Sequence, residues 1–117
     1  MKYTRLGKSN LEVSQVCLGT MHFGSRTTEE ESFMIMDKAL DMGINFFDTA
    51  NVYSSKGKSE EIIGKWMKAR GTRDQIVLAT KVYNTMSLGE DSQLPNNGSG
   101  ISAYRVRNHA EGSLRRL

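Results

Sequence analysis

A single cysteine, Cys17, stands among 117 residues. That excludes an internal disulfide framework and a cysteine-rich zinc site. The two histidines, His22 and His109, lie far apart and give no spaced set of metal ligands, so no metal is expected. No apolar run approaches the roughly 18 residues of a spanning helix. The opening MKYTRLGKSN has no apolar stretch of the secretory kind, which makes the cytoplasm the expected compartment and gives no reason for a membrane partner. Charge of one sign is also scarce. The net charge is +3, and the arginines that carry much of it, Arg105, Arg107, Arg115 and Arg116, are interrupted by Glu111. A nucleic-acid partner would want a denser basic stripe or a reading motif, and none is expected.

Nucleotide-binding glycine motifs are missing as well. Gly57-Lys58-Ser59 looks like the tail of a phosphate-binding loop, but the position five before Gly57 is Val52, so the glycine cradle is absent. No GxGxxG follows a strand candidate. What remains is the composition of one soluble globular domain, with 38% hydrophobic and 25% charged residues.

Short apolar runs alternate with helical patterns. Residues 2–7 and 11–16 are two extended candidates around the turn Lys8-Ser9-Asn10, predicting an N-terminal hairpin over 2–16. Val16-Cys17-Leu18 reads as a buried strand ending at Gly19, with Cys17 a small core residue rather than a nucleophile. Thr28 and Glu31 have the spacing of a capping box. Phe33, Met36 and Leu40 then share a helix face that Ile35, Ala39 and Met42 widen, and Gly43 stops it. Ile44-Asn45-Phe46-Phe47 is a second strand, followed by a helix over roughly 59–70 closed by Gly71. Ile76 to Thr80 is a third strand, 83–101 a long loop, and a third helix starts near Ser102. The pattern is α/β, with parallel βα units at about 16–43, 44–71 and 76–117 inside a single domain.

Strand ends are where parallel α/β folds build their sites. Here the first ends in Gly19-Thr20-Met21-His22, the second leads through Asp48 to Tyr53, and the third ends in Thr80-Lys81. Tyrosine titrates near ~10 and is a poor proton donor at neutral pH. A nearby ammonium favours the phenolate, and a carboxylate beside that ammonium keeps it charged in a partly desolvated pocket. Such a set suits protonation of an oxygen while a hydride arrives at the adjacent carbon.

The segment Asp48-Thr49-Ala50-Asn51-Val52-Tyr53, with Ser59-Glu60 following and Lys81 closing the next strand, resembles an aldo-keto reductase. Leu18-Gly19-Thr20-Met21, Gly43 to Phe47 and Ser113 to Leu117 match along the rest of the chain. The resemblance implies a TIM-type (β/α)8 barrel with an N-terminal hairpin over its base. It also implies NADP(H)-dependent hydride transfer that reduces a small-molecule aldehyde or ketone to an alcohol. Tyr53 would be the general acid, Lys81 the ammonium that assists it and Asp48 the carboxylate beside that lysine. Gly19, Thr20 and Met21 would lie along the nicotinamide end of the cofactor, and Asp48 near its ribose. Residues of the 83–101 loop would line the substrate mouth.

The family's fourth catalytic residue is a histidine after the fourth strand. His22 lies on the wrong strand for it, and His109 falls in the third helix, far from any strand end on this reading. A complete barrel takes about 250 residues. The chain therefore reads as an incomplete barrel, about three units of eight and the N-terminal portion of a longer enzyme. Open sheet edges would invite self-association. Little or no reductase activity is expected from it alone. A noncatalytic protein of the same family that binds partners is the alternative, and NADPH titration separates the two.

Overall fold

The computed structural model describes residues 1–83, 85–86 and 100–117. Most of the 83–101 loop, expected to line a substrate mouth, lies outside the described residues.

Strands β1 (Tyr3–Arg5) and β2 (Glu12–Ser14) pair antiparallel, with Tyr3 opposite Ser14. The turn between them uses Gly7 at a φ of 58° and is closed by Leu6 N–H donating to the Leu11 carbonyl at 2.9 Å. Strands β3 (Cys17–Gly19), β4 (Phe46–Asp48) and β5 (Val77–Ala79) form a separate parallel sheet in that order. Their register has no stagger, so Gly19, Asp48 and Ala79 stand side by side at one edge.

Helix α1 (Glu29–Asp41) begins on the expected capping box. Thr28 Oγ1 accepts from the Glu31 N–H at 3.2 Å, and Glu31 Oε2 accepts from the Thr28 N–H at 2.9 Å. Helix α2 spans Tyr53–Arg70, but Ser54, Ser55, Lys56 and Gly57 leave the right-handed helical region. Regular helix therefore starts after Gly57, close to the expected onset. Helix α3 (Ala103–Arg116) is capped by Ser102, whose hydroxyl accepts from the Arg105 N–H.

The core gathers where α1 and α2 cover β4. Phe47 and Trp66 are fully buried, and their rings stack with centroids 5.6 Å apart. Met36, Ile62 and Ile63 fill the space around them. The indole N–H of Trp66 donates to Asp37 Oδ1 at 2.7 Å, so burying the ring leaves no polar atom unpaired.

Helices α2 and α3 meet at Gly64. A Cβ there would fall inside the van der Waals envelope of the Arg116 carbonyl oxygen. Gly64→Ala is therefore expected to lower the urea midpoint. Overpacking costs about 1–3 kcal/mol, which outweighs the ~1 kcal/mol that alanine gains in a helix interior. A raised midpoint would show that the two helices part without cost.

Two expectations about burial fail. Cys17 is exposed, not a core residue, because successive strand side chains alternate between faces and it is its neighbour Leu18 that packs against the core. Ile35 and Met42, expected to widen the buried face of α1, are exposed together with Met34. With Ala39 and Ile44 they line an open apolar depression of about 640 Å³. Leu78, Val82, Val106, Leu114 and Leu117 line a second one on β5 and α3.

Candidate active site

The level edge of the parallel sheet fixes the positions of the side chains beyond it. Pairing continues past the strands themselves. Thr20 N–H donates to the Asp48 carbonyl, Thr49 N–H to that of Ala79, and Asn51 N–H to that of Lys81. Each loop thus leaves its strand already tied to the next one.

Lys81 stands at the centre. Its Nζ donates to Asp48 Oδ2 at 2.6 Å and to the Thr49 carbonyl at 2.8 Å. It also lies 5.0 Å from the centroid of the Tyr53 ring. Desolvation works against the ammonium, but the Asp48 carboxylate and the Tyr53 hydroxyl outweigh it, and Lys81 is held above the ordinary lysine value. Lys81 and Asp48 both remain partly open to solvent. The expected trio therefore converges on one accessible rim.

Beneath the rim lies a buried hydroxyl cluster. Ser59 Oγ, on α2, is 3.0 Å from both Thr49 Oγ1 and Thr20 Oγ1 and donates to the Thr20 carbonyl at 2.9 Å. Thr20 is buried, and its hydroxyl also donates to the Asp48 carbonyl. Its side chain faces the cluster, whereas Gly19 and Met21 on either side are exposed. The next residue along α2, Glu60, is wholly buried. It accepts from Thr80 Oγ1 and from Arg116 Nε, each at 2.6 Å. Ser59 thus holds the ends of β3 and β4, and Glu60 holds the end of β5 to α3.

Between Met21 and Tyr53 a further tie forms. Ser54 Oγ donates to the Met21 carbonyl at 2.8 Å from a left-handed backbone turn, with φ of 52°, 64° and 57° at Ser54, Ser55 and Lys56. Gly57 completes the turn at a φ of 113°, where a side chain would be strained.

The remaining candidates separate. His22 is exposed, and its carbonyl organises a turn by accepting from the N–H groups of Ser25, Arg26 and Thr27. Partial desolvation and the Asp48 charge hold the Cys17 thiol above its ordinary value against the pull of Lys81, which argues against a reactive thiolate. Among the described residues no group of His, Cys, Asp and Glu could hold a metal ion. No helix of the described residues is long and apolar enough to cross a membrane.

His109 is not far from the strand ends. It is buried, and its Nδ1 lies 2.9 Å from Asn51 Nδ2, in the loop between Asp48 and Tyr53. The buried face of α3 consists of Arg105, His109, Gly112 and Ser113. Its spacing is helical, but its residues are polar or small, so a search for apolar periodicity passes over it.

Comparison with known proteins gives a consistent result. Residues 15–117 match the Aldo/keto reductase family. Over 121 residues the chain is 53% identical to the uncharacterized oxidoreductase YrpG of Bacillus subtilis, covering all of this chain and 36% of that protein. It is 38% identical over 116 residues to the norsolorinic acid reductase stcV of Emericella nidulans, covering 93% of this chain and 30% of that one. The crystal structure of a candidate aldo-keto reductase of Pseudomonas aeruginosa superposes with a TM-score of 0.75 at 32% identity, over 98% of this chain and 42% of that one. The chain spans about a third of the length of these curated relatives.

Proposed function

The chain belongs to the aldo/keto reductase family of oxidoreductases, and from that premise we propose that it carries the proton-donating part of an NADP(H)-dependent carbonyl reductase. The observation that supports this most is the Lys81 ammonium, bonded to Asp48 Oδ2 at 2.6 Å and set 5.0 Å from the Tyr53 ring on one open rim.

NADP(H), when bound, supplies the hydride. The residues present suit its nicotinamide end. Gly19 leaves the end of β3 open, with no atom within 4 Å of the place a Cβ would take. Asp48 stands beside Gly19 in the parallel register and Met21 is exposed two residues on, while Thr20, with its hydroxyl committed to Ser59 and Asp48, positions the strand end from below. Tyr53 donates its hydroxyl proton to the carbonyl oxygen of an aldehyde or ketone. The carbon gains the hydride, the oxygen gains the proton, and the product is an alcohol. Lys81 offsets the negative charge left on the Tyr53 oxygen, and Asp48 keeps Lys81 in place.

The three strands are proposed as part of a TIM-type barrel, with the hairpin at 2–16 and βα units at about 16–43, 44–71 and 76–117. The uncovered apolar depressions on α1 and on β5 with α3 support that reading, since further units would cover them.

The test is a chimera in which this chain replaces the segment that it matches in the Bacillus subtilis relative. The expected outcome is NADPH oxidation dependent on an added aldehyde or ketone. A folded chimera that binds NADPH but reduces none of a broad carbonyl panel, beside an active parent, would refute the proposal.

A further inference from the structure

The loop from Asp48 to Tyr53 carries two of the three reacting side chains, and its midpoint is Asn51. The Asn51 backbone N–H donates to the Lys81 carbonyl at 3.1 Å. Its side-chain amide reaches His109 Nδ1 on α3 at 2.9 Å. Both side chains are about 1% exposed, so water cannot take over either end of that bond. Asn51 Oδ1 has no hydrogen-bond partner among the described residues. The bond to His109 is thus what the buried amide has to offset its lost hydration.

We infer that His109 is a positioning residue for the Asp48–Tyr53–Lys81 set, acting through Asn51; this deepens the reductase reading and rests on it. Without the ring, the Asn51 amide is buried with neither end bonded, and the loop shifts to bring it to water. That shift carries along the Thr49 carbonyl, an acceptor for Lys81 Nζ at 2.8 Å, and the backbone leading to Tyr53. The ammonium then loses its alignment with Asp48. His109 itself touches no reacting atom.

The experiment is an NMR titration of the lysine side chains in the 117-residue chain, with no cofactor present. Its outcome is therefore independent of whether the chimera reduces a carbonyl. In the parent chain Lys81 is expected to titrate above the ordinary lysine value, and so is Lys65, through its hydrogen bond with Glu29 on α1. Lys65 is the internal control. In His109→Leu the elevation at Lys81 is expected to disappear while that at Lys65 remains. In His109→Gln, whose amide can meet Asn51, both are expected to persist. In Asn51→Ala, which removes the buried amide instead of orphaning it, nothing draws the loop toward water, and both elevations are expected to persist. An unchanged Lys81 elevation in His109→Leu overturns the inference. So does loss of both elevations in His109→Leu, which would mark His109 as a residue that holds the fold in general.

Discussion

Tyr53→Phe in the chimera is expected to lower kcat for carbonyl reduction by roughly 100- to 10,000-fold, the range contributed by a positioned general acid. The substitution removes one oxygen and keeps the ring that stands 5.0 Å from Lys81 Nζ. Packing beneath the site is left intact, because the hydroxyl cluster of Thr20, Thr49 and Ser59 does not include Tyr53. NADPH affinity should therefore change little, and the loss should fall on kcat rather than on KM. Steady-state rates with one aldehyde, beside a fluorescence titration of NADPH, measure the two effects separately. A fall of less than tenfold would mean that another group delivers the proton.

The largest effect on stability is expected from Glu60→Ala. The Glu60 carboxylate is fully buried and Arg116 nearly so, with 10% of its side chain exposed. Removing one member of such a pair costs about 3–5 kcal/mol, because the other charge stays desolvated. Thr80 loses its acceptor at the same time. Against a total stability on the order of 5–15 kcal/mol for a domain, that is a large share. Urea unfolding followed by the fluorescence of Trp66, the single tryptophan, reads the loss directly. The paired replacement Glu60→Leu with Arg116→Met is expected to recover most of it, since an apolar pair of similar volume carries no desolvation cost. A loss below about 1 kcal/mol in Glu60→Ala would show that water reaches the pair.

Features set by short-range chemistry were legible in the sequence. The capping box at Thr28 and Glu31, the stop at Gly71 and the onset at Ser102 each need only a few neighbouring residues, and each stands where its spacing predicts. The convergence of Asp48, Tyr53 and Lys81 was legible for a different reason: parallel strands bring their ends together whatever lies between. Burial was read less well. Ile35 and Met42 fall on an apolar stripe, but whether a stripe is covered depends on what packs across it. Cys17 shows the same limit in a strand. The Asn51–His109 bond joins residues 58 positions apart, and neither belongs to a pattern that points to the other. A polar residue on the buried side of a helix looks like a surface residue until its partner is known.

Ser59 and Glu60 are successive residues of one helix, and successive helical side chains point about 100° apart. Both can be buried only where the helix is enclosed on two sides. The strand ends close one side through Thr20 and Thr49, and α3 closes the other through Arg116. One turn of α2 therefore serves both enclosures, and substitutions on its two sides, at Thr49 and at Arg116, are expected to depart from additivity in their effects on stability.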